Sequence, residues 1–178
     1  MDPVQVLELG LDMKNQYYMA MDVDATECRA MERDNRGFRS RGLTLHSDEA
    51  MDQVDGTTRV GAGFIIRRSN GGFLCAAGRK MQCCASVEEA ELRALVWALV
   101  YCDKEHIILT NIYLDNQWIN CQAIDFCPRE TNRTAHWIAQ TAKRMVDEMI
   151  EWKDLSELPV LIQKAVDNDR NMFLSQEG

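Results

Sequence analysis

The sequence predicts an α/β fold of the α+β kind, a mixed β-sheet in which three antiparallel strands are followed by helix, strand and helix. Three observations predict it. From Leu43 the chain alternates, with Leu43, Leu45 and Ser47 on one side and Thr44, His46 and Asp48 on the other, the period of a strand. Asn70-Gly71-Gly72 separates two apolar runs, which signals a hairpin. Ala90, Ala94, Leu95, Ala98, Leu99 and Cys102 then recur at helical intervals.

Each element follows from local chemistry. Residues 1–42 are rich in methionine and charge and end in Asn35-Arg36-Gly37-Phe38-Arg39-Ser40-Arg41-Gly42, which reads as a weakly ordered leader and basic linker. After the first strand come Val60–Arg67 and Phe73–Gly78, flanking the hairpin turn. The first helix opens at Ser86 and Glu89, which have capping-box spacing, and closes at Asp103-Lys104-Glu105. Ile107 to Leu114 is β-branched, apolar and short, a buried strand with Asp115 at its carboxyl end. There α/β sheets place functional groups. A second helix is expected from Thr131 or Asn132 through Ala135, Ile138, Ala139, Ala142, Met145 and Met149 to about Trp152. The domain is thus expected over 43–152, with 153–178 as a C-terminal tail holding one short helix.

Composition narrows the function. In 178 residues, 46% apolar and 27% charged, a single soluble core is expected. The net charge of −8 excludes a protein that coats nucleic acid nonspecifically, because such binding comes from lysine and arginine neutralising phosphates. Any nucleic-acid site must be a local basic patch. Seven cysteines without CxxC spacing suit reduced thiols and argue against zinc. No apolar run approaches the length of a membrane span, and the start Met1-Asp2-Pro3-Val4 has no signal-peptide character. An intracellular protein, cytoplasmic or nuclear and without a membrane partner, is expected.

Asp48, Glu91 and Asp115 are the residues with chemistry to offer, since carboxylates gathered from separate elements repel unless a cation holds them. Each also has a plain structural reading. Glu91 stands beside Glu88 and Glu89 in an acidic first turn that suits the helix dipole, Asp115 could cap a helix, and Asp48 could be a polar strand residue. Asp55, before Gly56, competes with Asp48, but it lies five residues before Gly61 where a hairpin turn is needed. Asp125 reads as a loop carboxylate. His46 and His106 are expected at the surface or at strand ends. Trp97 and Trp137 are expected in packing, and Arg67, Arg68, Arg79 and Lys80 in solvent.

From Leu43 to about Lys143 the chain resembles the plant reverse-transcriptase-like branch of the ribonuclease H superfamily. The resemblance rests on Ser47-Asp48-Glu49-Ala50, Gly61-Ala62-Gly63-Phe64-Ile65-Ile66-Arg67, Ser69-Asn70-Gly71-Gly72-Phe73, Ala90-Glu91-Leu92-Arg93-Ala94-Leu95, Leu114-Asp115-Asn116-Gln117 and Cys127-Pro128-Arg129-Glu130-Thr131-Asn132-Arg133-Thr134-Ala135-His136, in that order. It implies a five-stranded mixed sheet flanked by helices and cleavage of the RNA strand of an RNA/DNA hybrid with two Mg2+ (or Mn2+) ions. Asp48, Glu91 and Asp115 would be the metal ligands. His136 would take the fourth acidic position in a supporting role, since imidazole is a poor magnesium ligand and a better proton shuttle. Arg129 and Arg133 would meet phosphates.

The chain departs from this pattern after Asp115. Only eleven residues separate Asp115 from Cys127, too few for the usual helix, second helix or loop, and fifth strand. Either Trp118 to Phe126 is the fifth strand, with a link shorter than a parallel crossover needs, or Asn116 to Ile124 is the helix and the fifth strand is lost. The helix is favoured, because Trp118, Ile119, Gln122 and Ala123 fit it. An exposed sheet edge would then invite a protein partner or self-association. Two functions follow. One is a metal-dependent hybrid endonuclease; the other is a truncated, non-catalytic descendant acting through protein contacts or weak nucleic-acid binding.

Overall fold

A computed structural model describes residues 42–116 and 124–175. The residues after Gly42 belong to one compact unit. Its core is a six-stranded sheet with the order β5-β4-β1-β2-β3-β6. The strands are β1 (Leu43–Val54), β2 (Thr57–Arg68), β3 (Phe73–Met81), β4 (Asn111–Leu114), β5 (Asp125–Phe126) and β6 (Met149–Trp152), and the helices are α1 (Val87–Lys104), α2 (Arg133–Ala142) and α3 (Val160–Ser175). β1 is antiparallel to β2, as β2 is to β3 and β3 to β6, while β4 runs parallel to both β1 and β5. Among the described residues no helix is long and apolar enough to cross a membrane.

The turns are those their residues favour. Asp55 (φ 51°) and Gly56 (φ 73°) make the two-residue link between β1 and β2, left-handed at both positions as a tight hairpin requires. This places Asp55 in the turn expected of it. Between β2 and β3, Gly71 is also left-handed, and the Arg68 and Gly71 amides close the turn on the Gly72 and Arg68 carbonyls. For α1, the Ser86 hydroxyl accepts from the Glu89 amide at 3.2 Å, and the Glu89 carboxylate accepts from the Ala85 amide at 2.8 Å. Its other end is closed by left-handed His106 (φ 54°) and a hydrogen bond from the Ile107 amide to the Cys102 carbonyl, the Schellman arrangement.

Strand alternation sorts the core into two layers. Phe64 points to one face of β2 and meets Trp97 and Tyr101 of α1, with ring centroids 5.1 and 4.9 Å away. Gly61, Gly63 and Ile65 point to the other face, under α2. A Cβ at Gly63 would run into the Ala139 amide and the Ala135 carbonyl, and one at Gly61 into Ala139 and Lys143. Glycine here, opposite Ala135, Ala139 and Ala142, lets helix backbone approach strand backbone closely. Ile65, Ala76, Ile138, Trp152, Leu158, Ile162 and Val166 complete that layer.

The structure corrects several expectations. The sheet keeps a fifth strand, since Asp125–Phe126 pairs with Tyr113 and Leu114. It is only two residues long, and β4 is not left as an edge. The favoured helix over 116–124 falls largely on residues 117–123, outside the described ones. Next, the helix expected to reach Trp152 stops at Ala142. Met145, Val146 and Met149 continue its apolar spacing, but the free edge of β3 offers unpaired backbone groups and Trp152 has a core position to fill. Residues 149–152 therefore pair with Ala76–Arg79 instead, and Val146 is exposed. The stretch after Trp152 carries a sixteen-residue helix, α3, that buries Ile162, Ala165 and Val166. Finally, Arg67 is buried, not solvated. Its guanidinium donates to Asp169 Oδ2 at 2.7 Å and to Thr134 Oγ1 at 2.9 Å, and Thr134 also donates to Asp169 at 2.6 Å. This network ties α3 to β2 and α2. The five described cysteines, Cys75, Cys83, Cys84, Cys102 and Cys127, are free thiols.

Candidate active site

Asp48 stands in β1 directly opposite Gly63, so no neighbouring side chain on β2 shields it from α2. His136 of α2 fills the space, with Nδ1 3.0 Å from Asp48 Oδ2. The carboxylate can only accept, so Nδ1 carries a proton, and in the neutral ring Nε2, 3.5 Å from Gln140 Nε2, is the acceptor. Asp48 Oδ1 accepts from the Glu49 amide at 2.8 Å. Asn132, fully buried just before α2, donates from Nδ2 to the Ser47 carbonyl at 3.0 Å. It pins the start of the helix to β1, and His136 follows one turn later.

Glu91 lies on the buried side of α1. Its Oε2 accepts from Asn116 Nδ2 at 3.1 Å, while Oε1 is buried without a hydrogen-bond partner. Burial, and then the charges of Asp48, Asp115 and Glu49, push its carboxyl up to about 8, against the opposing Asn116 bond. Asp115 follows β4, and burial, then the charge of Asp48, raises its carboxyl above the ordinary range. Arg129 (Nε to Oδ2, 3.8 Å) and Asn132 act the other way. Glu49 is pushed up to about 7 by burial and by Asp48, and its Oε2 is buried without a partner.

The three expected carboxylates therefore feel one another's charge, and the direct contacts among the expected site residues are Asp48 with His136 and Asp115 with Arg129. Among the described residues no three His, Cys, Asp or Glu side chains are placed to hold a metal ion. Alternation along β1 gives one reason, since neighbouring Asp48 and Glu49 point to opposite faces of the sheet. The donor chemistry nevertheless fits a hard divalent cation: the set is carboxylate oxygens, and buried oxygens of Glu91 and Glu49 have no donor to neutralise them.

Other residues fall into place around this cluster. Arg129, in the short 3-10 turn Arg129–Thr131, has a side chain 70% exposed, and Arg133 is exposed at the start of α2. Asp125 is an exposed strand residue that accepts from Asn111 at 3.4 Å. His46, expected at the surface or a strand end, is buried within β1; its ring stacks on Tyr113 at 5.0 Å, and burial, then the charge of Arg67, lowers it to about 3. Trp137, expected in packing, is 45% exposed. Glu49, Asn116 and Asn132 were not foreseen as site residues, although all three sit inside the motifs quoted above. Nothing local marks an asparagine as the donor to a carboxylate on another element.

Residues 48–123 match the family model described as reverse transcriptase-like. The match is consistent with an RNase H-like domain. No curated protein and no solved structure matches the chain. The match to the reverse transcriptase-like family begins at Asp48 and takes in Glu91 and Asp115, while Arg129, Arg133 and His136 lie beyond it. An RNase H-like domain carries a nucleic-acid-related function.

Proposed function

We propose that this RNase H-like domain is a divalent-cation-dependent endonuclease that cleaves the RNA strand of RNA/DNA hybrids. The observation that carries the reading is the Glu91 carboxylate. It is buried with Oε1 unpartnered, and burial with the field of Asp48, Asp115 and Glu49 pushes it up to about 8, a carboxyl that a bound cation would draw back to its ionised form. Asp48, Glu91 and Asp115 would hold Mg2+ or Mn2+, which when bound supplies Lewis-acid stabilisation and an activated water at neutral pH. His136 is oriented by Asp48 and offers Nε2 as the proton acceptor. Arg129 and Arg133, both exposed, receive phosphates of the hybrid and fix its register. Cleavage of a labelled hybrid is expected with Mg2+ or Mn2+, to stop in chelator and to vanish in Asp48→Asn. Cleavage that persists in chelator, or in that variant, overturns the reading.

A second reading has its own support. The carboxylates as they stand do not form a three-ligand set, and β5 is reduced to two residues, which suits a non-catalytic descendant acting through a protein partner, self-association at the sheet edge or weak nucleic-acid binding. A folded protein that binds partners and leaves the hybrid intact with every divalent cation would establish it.

A further inference from the structure

Three sides of α2 are spoken for. Ala135, Ala139 and Ala142 lie against β2, Ile138 packs with Ile162 and Val166 of α3, and His136 turns to Asp48. The remaining side carries Arg133, Trp137 and Thr141 at i, i+4 and i+8, followed by Arg144 in the turn that continues the helix. Arg133 and Arg144 are exposed, and Arg133 also lies close enough to Asp169 to act on its carboxyl. The indole of Trp137 is 45% exposed and meets the His136 ring edge-on at 6.3 Å. Thr141 turns its hydroxyl back onto the Trp137 carbonyl at 2.8 Å, so it presents no donor to solvent. The nearest acidic residues in sequence, Glu130 and Asp147, lie beyond the two arginines and not between them.

An exposed indole with a cation about 6 Å away along the helix axis on one side and about 10 Å away on the other is complementary to a polyanion that offers flat apolar faces between its charges. A nucleic-acid strand is such a polymer. A duplex is not, because its base faces are stacked on each other and only its edges and backbone are open. We infer that this face of α2 binds an unpaired run of nucleic acid, with one base stacked on Trp137 and the flanking phosphates on Arg133 and Arg144. The inference rests on the reading that the domain acts on nucleic acid, and it deepens that reading. Since His136 and Trp137 are adjacent, an unpaired flank held on the indole would bring the neighbouring duplex to the carboxylates, and hybrids with a single-stranded overhang become the preferred class of ligand.

The test is fluorescence anisotropy with the full chain in chelator, so that nothing is cleaved, using a labelled blunt hybrid and the same hybrid with a ten-nucleotide overhang. The overhang hybrid is expected to bind more tightly. Trp137→Ala should weaken overhang binding about tenfold and leave blunt binding nearly unchanged, with Trp137→Phe keeping most of the affinity. Arg133→Ala and Arg144→Ala should each lower the salt slope for the overhang by about 0.7. Because Trp137 is exposed, circular dichroism is expected to show an unchanged fold in its variants. Equal affinity for blunt and overhang hybrids, or no loss in Trp137→Ala, overturns the inference, as does a wild type that binds neither. Cleavage is scored separately with Mg2+. Trp137-dependent binding without cleavage upholds this surface and removes the nuclease reading, while cleavage indifferent to Trp137 does the reverse.

Discussion

Asp48 Oδ2 and His136 Nδ1, 88 residues apart in sequence, stand 3.0 Å from each other. In the neutral imidazole the contact puts the proton on Nδ1 and makes Nε2 the acceptor. His136→Ala should therefore lower the single-turnover rate of hybrid cleavage about 100-fold, a general acid–base effect, with hybrid affinity little changed. Cleavage within threefold of wild type at saturating hybrid would remove the imidazole from proton transfer.

Glu91 gives a stability prediction that needs no catalysis. Its folded-state pKa of about 8 lies above the ordinary 4.5. The group's contribution to stability is therefore complete below about pH 4.5 and is lost as pH rises through about 8. Without divalent cation, Glu91→Gln should stabilise the protein at pH 8.5 by roughly 1–2 kcal/mol and change it little at pH 4.5. Urea denaturation at the two pH values measures this, and a destabilised Gln variant at pH 8.5 would show that the charge is already compensated.

His46 has the opposite sign. Its folded pKa of about 3 lies below the ordinary 6.5, so its contribution is complete above pH 6.5 and is lost as pH falls toward 3. His46→Phe keeps a ring against Tyr113 and removes the titration. Whatever its absolute stability, the variant should lose less between pH 6.5 and pH 4 than the wild type does. Parallel pH profiles for the two proteins would contradict the burial of the imidazole as its cause.

Gly63 and Gly56 separate packing from backbone strain. An alanine Cβ at Gly63 meets the α2 backbone, so Gly63→Ala should cost about 2–3 kcal/mol and move His136 away from Asp48, reducing cleavage as well. At Gly56 nothing lies within 4 Å of a Cβ, but φ is +73°. Gly56→Ala should cost about 1 kcal/mol with cleavage unchanged. Thermal melts with matched cleavage assays distinguish the two, and equal effects at both positions would refute the close-approach account of α2.

Much of the sheet and its first helix was legible because they obey local rules. The alternation from Leu43, the Asp-Gly and Asn-Gly-Gly turns and the Ser86 cap each name their own structure within a few residues. β6 was not legible, because Met145, Val146 and Met149 keep helical spacing and only the unpaired edge of β3, far away in sequence, makes a strand the better use of 149–152. The same holds at the site. Asp48, Glu91 and Asp115 stand out as carboxylates at telling places in their elements, whereas the role of Asn132 depends on a carbonyl 85 residues away, and the burial of His46 on what α2 and β4 lay against it.

Arg67 lies within the stretch that matches the reverse transcriptase-like family, while its counter-ion Asp169 lies more than forty residues past the end of that stretch. A guanidinium 1% exposed and stripped of its carboxylate costs roughly 3–5 kcal/mol, a large share of what holds a domain of this size together. The recognisable segment is thus not a transplantable cassette. Moved into another chain without α3, it would carry a buried charge in search of a partner, so the unit that can be inherited or exchanged intact is longer than the signature by which it is known.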